Sequence, residues 1–329
     1  MQKRQLGNTS LNALSIGLGC MGMSEFYGAT NEQESLNTLH RAIELGINFF
    51  DTADIYGLGE NEILLGKALK DFRQNIILAT KFGIIRNPSG PRLGAVDGSP
   101  EYVKSACDAS LKRLGTDVID LFYLHRVDKN TPIEETVGAM AELVHAGKVR
   151  YIGLSEVNAQ TLQRAHKVHP ITAIQSEYSL WVRQPEDEII PLCEKLNISF
   201  VPYSPLGRGF LTHTITSNAS LDKMDFRTIL PRFTGENADK NRLLVEQLAK
   251  IAAEKKCTPA QLSLAWVLAK SPRTIPIPGT KKIKYLEENT ASMNIKLTSD
   301  DVNTLDTLFN SDAIAGNRYT DEGMQLVNS

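Results

Sequence analysis

The 329-residue sequence contains only four cysteines, Cys20, Cys107, Cys193 and Cys257, and none is close enough to another to read as a metal knuckle or redox motif. That scarcity favours a reduced, intracellular protein. Net charge is also nearly absent: 36 basic against 38 acidic residues leave −2, so no global field draws the chain to nucleic acid or an anionic membrane. A ligand must be recognised locally. Long hydrophobic runs are missing too, since no stretch approaches the ~18 apolar residues of a membrane span. The opening segment from Met1 to Thr9 has no apolar h-region. The expected location is therefore the cytoplasm. Internal repeats and low-complexity tracts are likewise absent.

What is present is alternation. Short apolar runs take turns with amphipathic, capped segments, the pattern of a parallel sheet with helices outside it. The candidate strands are Ile47–Asp51, Ile76–Lys81, Ile119–His125, Tyr151–Ser155, Ala173–Tyr178, Ser199–Ser204 and Thr274–Pro278, with Ala13–Gly17 as a first member. Eight such units close a (β/α)8 barrel, and with 42% hydrophobic residues the chain has core enough for one such domain over residues 1–329. Pro276 and Pro278 break a local rule, because a central strand seldom tolerates two residues that cannot donate ladder hydrogen bonds.

Helix signals are clear. Ser99 before Pro100 reads as an N-cap, and Val103, Ala106, Cys107, Ser110, Leu111 and Leu114 repeat at helical spacing until Gly115. Thr131-Pro132-Ile133-Glu134 reads as a capping box, closed at Gly147, and Thr258-Pro259-Ala260-Gln261 repeats the device. Weaker patterns cover Glu34–Leu45, Glu62–Lys70, Thr161–His166, Glu186–Leu196, Asp239–Lys255 and Asp300–Phe309. The long, aperiodic segment Leu206–Asn237 reads as a functional loop or lid.

Gly17-Leu18-Gly19-Cys20-Met21-Gly22 matches the dinucleotide fingerprint, but the context fails: irregular chain follows where a helix should open at once. More telling is Ile47-Asn48-Phe49-Phe50-Asp51-Thr52-Ala53-Asp54-Ile55-Tyr56-Gly57, where an apolar strand runs into polar groups. Lys81 ends the next strand and His125 the one after. Catalytic groups of barrels gather at the carboxyl ends of strands. Each residue alone has an ordinary reading, as turn cap, half-buried aromatic, strand-end lysine or core histidine. Together they describe carbonyl reduction. A tyrosine is a weak acid that a neighbouring ammonium makes stronger. Lys81 is that ammonium, Asp51 holds it charged, and His125 aligns a carbonyl for proton transfer from Tyr56.

These motifs, with Leu124-His125-Arg126, Tyr151-Ile152-Gly153-Leu154-Ser155 and Ile275-Pro276-Ile277-Pro278-Gly279-Thr280, resemble the aldo-keto reductase superfamily, and the auxin-induced-like and pyridoxal-reductase-like branch in particular. The resemblance runs over essentially the whole chain. It implies a (β/α)8 barrel with extended active-site loops and a C-terminal tail, a tetrad of Asp51, Tyr56, Lys81 and His125, and NADP(H) at the mouth. Ser155 and Gln175 are then expected to hold the carboxamide beside Asp51, with Tyr203 stacked on the nicotinamide. Ser204, Leu206, Gly207, Arg208 and Gly209 are expected along the pyrophosphate. Gly19, Cys20, Met21, Ile277 and Gly279 complete the cofactor wall, Thr280 and Lys281 face the 2′-phosphate, and Glu288 and Asn289 the adenine. Lysines at a helix start oppose its dipole, which suits a phosphate-binding role.

The sequence departs from the family at three places. Glu156 stands where many members have asparagine, and a carboxylate accepts but cannot donate to the carboxamide. Tyr285 replaces an arginine that grips the 2′-phosphate in many relatives. Arg126 replaces a common tryptophan, which makes the substrate pocket less aromatic and able to receive an anionic group. The tail Asp312–Ser329 is expected to border that pocket. His166 and His169 lack a third ligand, and the chemistry needs no metal. A nicotinamide-binding regulatory subunit of the potassium-channel β-subunit type is the competing reading, which His125 argues against, since those relatives carry asparagine there. A Schiff-base aldolase using Lys81 is opposed by Asp51, which keeps the lysine protonated. The expected partner is a small carbonyl compound, and a monomer is the expected state.

Overall fold

The computed structural model describes residues 2–86, 95–215, 221, 225–325 and 327. A two-stranded antiparallel hairpin comes first, β1 (Lys3–Gln5) with β2 (Asn12–Leu14). Seven parallel strands follow in sequential order: β3 (Leu18–Gly19), β4 (Phe49–Asp51), β5 (Ile77–Phe82), β6 (Ile119–Leu124), β7 (Val149–Ser155), β8 (Ala173–Glu177) and β9 (Ser199–Tyr203). Between and after them run the helices α1 (Glu32–Glu44), α2 (Glu60–Leu69), α3 (Pro100–Leu114), α4 (Ile133–His145), α5 (Ala159–Val168), α6 (Ile189–Leu196), α7 (Gly235–Glu254), α8 (Pro259–Ala269), α9 (Ile283–Ala291) and α10 (Ser299–Leu308). A short helix, α11 (Asp321–Met324), lies in the tail.

The expected first strand is displaced. Asn12–Leu14 belongs to the hairpin, whose Leu6 and Ala13 pack under the barrel lumen, so the first barrel strand begins only at Leu18. Hydrophobicity alone could not separate a plug from a strand.

Closure explains the two prolines. Segment 273–279 carries no full strand, yet Ile275 N donates to Phe200 O at 2.8 Å and Ile277 N to Pro202 O at 3.0 Å. On its other side Gly17 N donates to Pro276 O at 2.9 Å, and Gly19 bridges Gly279. The prolines alternate with the donating residues, so their missing N–H groups both fall on the side facing β3. A Cβ on Gly19 would stand 2.8 Å from Ile277 O, which is why glycine sits at this seam.

Residues at odd positions fill the lumen: Phe49, Ile77, Ala79, Leu121, Tyr123, Ala173, Val201, Ile275 and Ile277 form one buried cluster. The second, larger cluster lies between strands and helices. Tyr123 occupies so much of the lumen that a Cβ on Gly153 would lie 2.5 Å from its ring. Side chains alternate along a strand, so the next odd position on each strand must face the lumen at its carboxyl mouth.

Helix boundaries follow their caps. Ser99 Oγ accepts from Tyr102 N, and Gly115 ends α3 at φ 62°. The Thr258–Gln261 capping box is present. The one expected at Thr131 is not: α4 starts after Pro132 without a side-chain cap, because Thr131 donates its hydroxyl to Asp128. Residues 216–220 and 222–224 of the aperiodic segment, and 326, 328 and 329 of the tail, lie outside the described residues.

Candidate active site

The next odd positions are Asp51, Lys81, His125, Ser155, Gln175 and Tyr203. Asp51, Ser155 and Tyr203 end their strands, His125 follows β6 by one residue, Lys81 and Gln175 lie one and two residues before their strands end, and one cavity of about 710 Å³ opens above them. Register puts Ser155 opposite Gln175, and Lys81 opposite Tyr123, two residues before His125. Tyr56 arrives differently, at the start of a short turn whose Gly57, Leu58 and Gly59 all have positive φ.

Lys81 is fully buried, and each of its three ammonium hydrogens has an acceptor: Asp51 Oδ1 at 2.5 Å, Thr52 O at 2.7 Å and Tyr56 Oη at 3.2 Å. Asp51 Oδ2 accepts from Gln175 Nε2 at 2.8 Å. Burial pushes the lysine towards the neutral amine, but Asp51 and Tyr56 outweigh it and hold its pKa above the ordinary value. Burial likewise raises the Asp51 carboxyl, against the pull of Lys81 and Gln175, and the lysine is held as the ammonium. An amine held protonated in this way is a poor Schiff-base nucleophile.

Tyr56 feels the Lys81 ammonium as expected, against a larger effect of burial. Burial raises its pKa, and the opposing pull of Lys81 does not overcome it, so the net direction is up. The phenol keeps its proton at neutral pH. His125, whose ring stands edge-on to Tyr56 at 5.9 Å, is held well below the usual histidine value by burial and by Arg126 and Lys81. It is a neutral imidazole, and its Nδ1 has no hydrogen-bond partner among the described residues.

Beyond these groups the cavity wall takes in Gly19, Cys20, Met21, Ser204, Leu206, Arg208, Gly209, Ile277, Gly279, Thr280, Lys281, Glu288 and Asn289. Gly207 does not line it. Its amide donates to Ser204 O, and a Cβ there would collide with Trp181 at 2.5 Å. The turn holding it departs from β9 with Ser204, Gly207, Arg208 and Gly209 all at positive φ, a strained run beside the cavity. Lys281 Nζ donates to Tyr27 O at 2.8 Å and Ala29 O at 2.5 Å, fastening the loop after β3 across this end.

Glu156 does not line the cavity. Arg318 from the tail grips both its oxygens, at 3.0 and 2.7 Å, and Glu177 N donates to it at 2.8 Å. Arg208, expected at a phosphate, pairs with Glu177 at 3.0 Å and lies 4.7 Å from the ring centroid of Tyr319. Tyr319 in turn shares a 2.9 Å hydrogen bond with Tyr203. Sequence reasoning missed Glu177, Arg318, Tyr319, Tyr27 and Phe226. Glu177 was findable, as the odd position after Gln175; the tail residues carry no periodic signal.

A parallel barrel with an Asp, Tyr, Lys and His cluster at its carboxyl mouth defines a carbonyl-handling oxidoreductase. The comparisons agree. The profile of the Aldo/keto reductase family matches residues 15–310. A probable aldo-keto reductase 1 of Glycine max is 46% identical over 326 residues, covering 97% of this chain and 92% of that protein. Among solved structures, a glycerol dehydrogenase of Gluconobacter oxydans superposes with a TM-score of 0.85 at 26% identity, over 93% of this chain and 94% of the other. An aldo-keto reductase of Bacillus halodurans in its holo form does so with 0.79 at 32%, over 94% and 97%. The chain belongs to the aldo/keto reductase family, whose members are oxidoreductases that act on small carbonyl compounds and generally use NAD(P)H. No helix among the described residues is long and apolar enough to cross a membrane.

Proposed function

We propose that the chain reduces aldehydes or ketones to alcohols with NADPH, Tyr56 giving the proton. The observation that carries this reading is Lys81, buried and bonded at once to Asp51 and Tyr56, beside a neutral His125. The cofactor, when bound, supplies the hydride. Everything else falls to side chains of the chain.

The donor set suits a nicotinamide. Gln175 has its amide N–H committed to Asp51, which leaves its carbonyl oxygen to accept from a carboxamide. Ser155 Oγ accepts from Arg126 at 3.2 Å, which leaves its hydroxyl proton to donate to the carboxamide oxygen. These two supply both polarities, and Glu156 is not needed. Tyr203 offers a ring for stacking. Thr280 and Lys281 give the far end a cationic, hydroxylated corner for a 2′-phosphate, with Glu288 and Asn289 beside it for the adenine. The wall of Gly19, Cys20, Met21, Ile277 and Gly279 and the strained turn through Leu206, Arg208 and Gly209 border the path between.

In the reaction, the neutral His125 donates one hydrogen bond to the substrate carbonyl and orients it. The Tyr56 hydroxyl transfers its proton to the carbonyl oxygen as that oxygen gains charge. The phenolate left behind stays bonded to the Lys81 ammonium, whose own charge Asp51 balances. Turnover with a panel of pyridoxal, 4-nitrobenzaldehyde and methylglyoxal, comparing the native chain with Tyr56→Phe, tests this. Expected is NADPH consumption with at least one aldehyde, reduced ~100- to 10,000-fold in the variant. Binding of NADPH with no consumption on any carbonyl overturns the reading.

A further inference from the structure

Among the described residues, the charged groups that line the substrate end of the cavity are paired, with one exception. Lys81 is balanced by Asp51. Arg208 and Arg318 are balanced by Glu177 and Glu156. Arg227, further along the wall, is balanced by Asp225. Arg126 lines the same cavity, directly after His125, and has no ion pair among the described residues. Its Nη1 donates to His125 O at 2.7 Å and to Ser155 Oγ at 3.2 Å, both neutral acceptors. Its Nε and Nη2 have no hydrogen bond to any described residue, and no aromatic ring of the described residues covers the guanidinium.

Arg126 is half-buried, and an unpaired guanidinium in a cavity wall is less screened by water than one on the open surface. The surroundings make this one an anion receptor. Its Nη1 is pinned by two bonds, so the planar fork has a fixed direction. Its charge is permanent, as for any guanidinium in a protein, and Glu156 favours it against burial. Glu156 cannot serve as its counter-ion, because both its oxygens are occupied by Arg318. The remaining donors, Nε and Nη2, form the edge that takes a carboxylate side-on.

We infer that Arg126 is the anion-recognising residue of the substrate site, and that the preferred substrates are aldehydes or ketones bearing a carboxylate a few bonds from the carbonyl. This rests on the reductase reading above. With the carbonyl oxygen between Tyr56 and His125, a carboxylate further along the substrate reaches the residue adjoining His125. A charge-assisted bidentate contact in the cavity wall contributes enough to set substrate choice.

The test compares 2-, 3- and 4-carboxybenzaldehyde with the matching formylbenzamides, which are neutral and of the same shape, in the native chain, Arg126→Met and Arg126→Lys. The expected native result is a kcat/KM at least about tenfold higher for one acid than for its amide, from a contact of roughly 1.5–3 kcal/mol. In Arg126→Met that ratio falls to near one, and in Arg126→Lys it is partly restored. A native ratio near one for all three pairs, or a ratio that survives in Arg126→Met, overturns the inference while leaving the reductase reading intact. If no aldehyde turns over, the reductase reading fails instead. Calorimetric binding of benzoate to the native chain and Arg126→Met then decides the anion site separately: binding lost in the variant upholds it, and equal or absent binding removes it.

Discussion

Replacing Asp51 with asparagine isolates the interaction on which the site is built. The substitution preserves shape but removes the counter-charge, leaving the Lys81 ammonium, with no solvent exposure, only neutral acceptors such as Thr52 O and Tyr56 Oη. Breaking one side of a buried ion pair costs about 3–5 kcal/mol. The lysine sets a ceiling on that cost, because it can shed its proton instead. Starting from the ordinary value of 10.5, deprotonation at pH 7 requires about 4.8 kcal/mol, and at pH 9 only about 2.0 kcal/mol. The penalty of Asp51→Asn must therefore shrink as pH rises. Lys81→Met alone strands the carboxylate against Gln175, whereas the double variant removes both charges and is expected to recover at least about 2 kcal/mol relative to the sum of the single changes. Urea denaturation of the cofactor-free chain at pH 7 and pH 9 measures all four proteins. A penalty below about 1 kcal/mol at pH 7, or one that does not change with pH, refutes the buried-pair reasoning.

Further predictions concern protons and the cofactor. With His125 neutral and Tyr56 protonated, kcat/KM for reduction is flat from pH 6 to pH 8; a limb near 6.5 contradicts a neutral His125. Asp54 is half-buried with a sealed Oδ1 that has no partner among the described residues, and burial and Glu62 push its pKa up to about 8. A raised carboxyl pKa favours the folded state at low pH, and that advantage is lost as pH rises from about 4 to about 8, by up to ~1.4 kcal/mol per unit. Stability measured from pH 5 to 8 should accordingly shift towards Asp54→Asn over the native chain, and a constant difference shows that Asp54 is ionised throughout. Lys281→Met is expected to weaken NADPH about tenfold or more while changing NADH little, as titration by fluorescence quenching reads directly; equal losses assign Lys281 to fastening the Tyr27–Ala29 loop instead.

Much of this was legible in the chain because one rule governs both fold and site. Alternation along a strand sends Phe49 and Asp51, Ala79 and Lys81, Tyr123 and His125 to the same lumen, so apolar periodicity located the reactive ends. The eighth barrel position was harder. Its prolines contradict strand propensity, and only the one-sided arrangement of their missing donors resolves the conflict. Ala13 looked like a strand residue because a plug and a strand bury the same kind of side chain. Thr131 carried a capping signature that Asp128 diverted, a competition no local motif records. The proton state of Tyr56 depends on how far burial outweighs one ammonium, which spacing along a chain does not reveal. Arg318 and Tyr319 reach the mouth from an aperiodic tail, where pattern has nothing to act on.

The account's central claim is that hydride reaches the carbonyl carbon from the nicotinamide while Tyr56 supplies the proton to the oxygen. NADPH carrying deuterium at the transferred C4 position, incubated with an aldehyde that the native chain reduces, tests it most directly by mass spectrometry of the alcohol. The account predicts one deuterium on the former carbonyl carbon, and alcohol formation that collapses in Tyr56→Phe. Alcohol without deuterium from either C4 isotopomer, or undiminished formation in the variant, contradicts it.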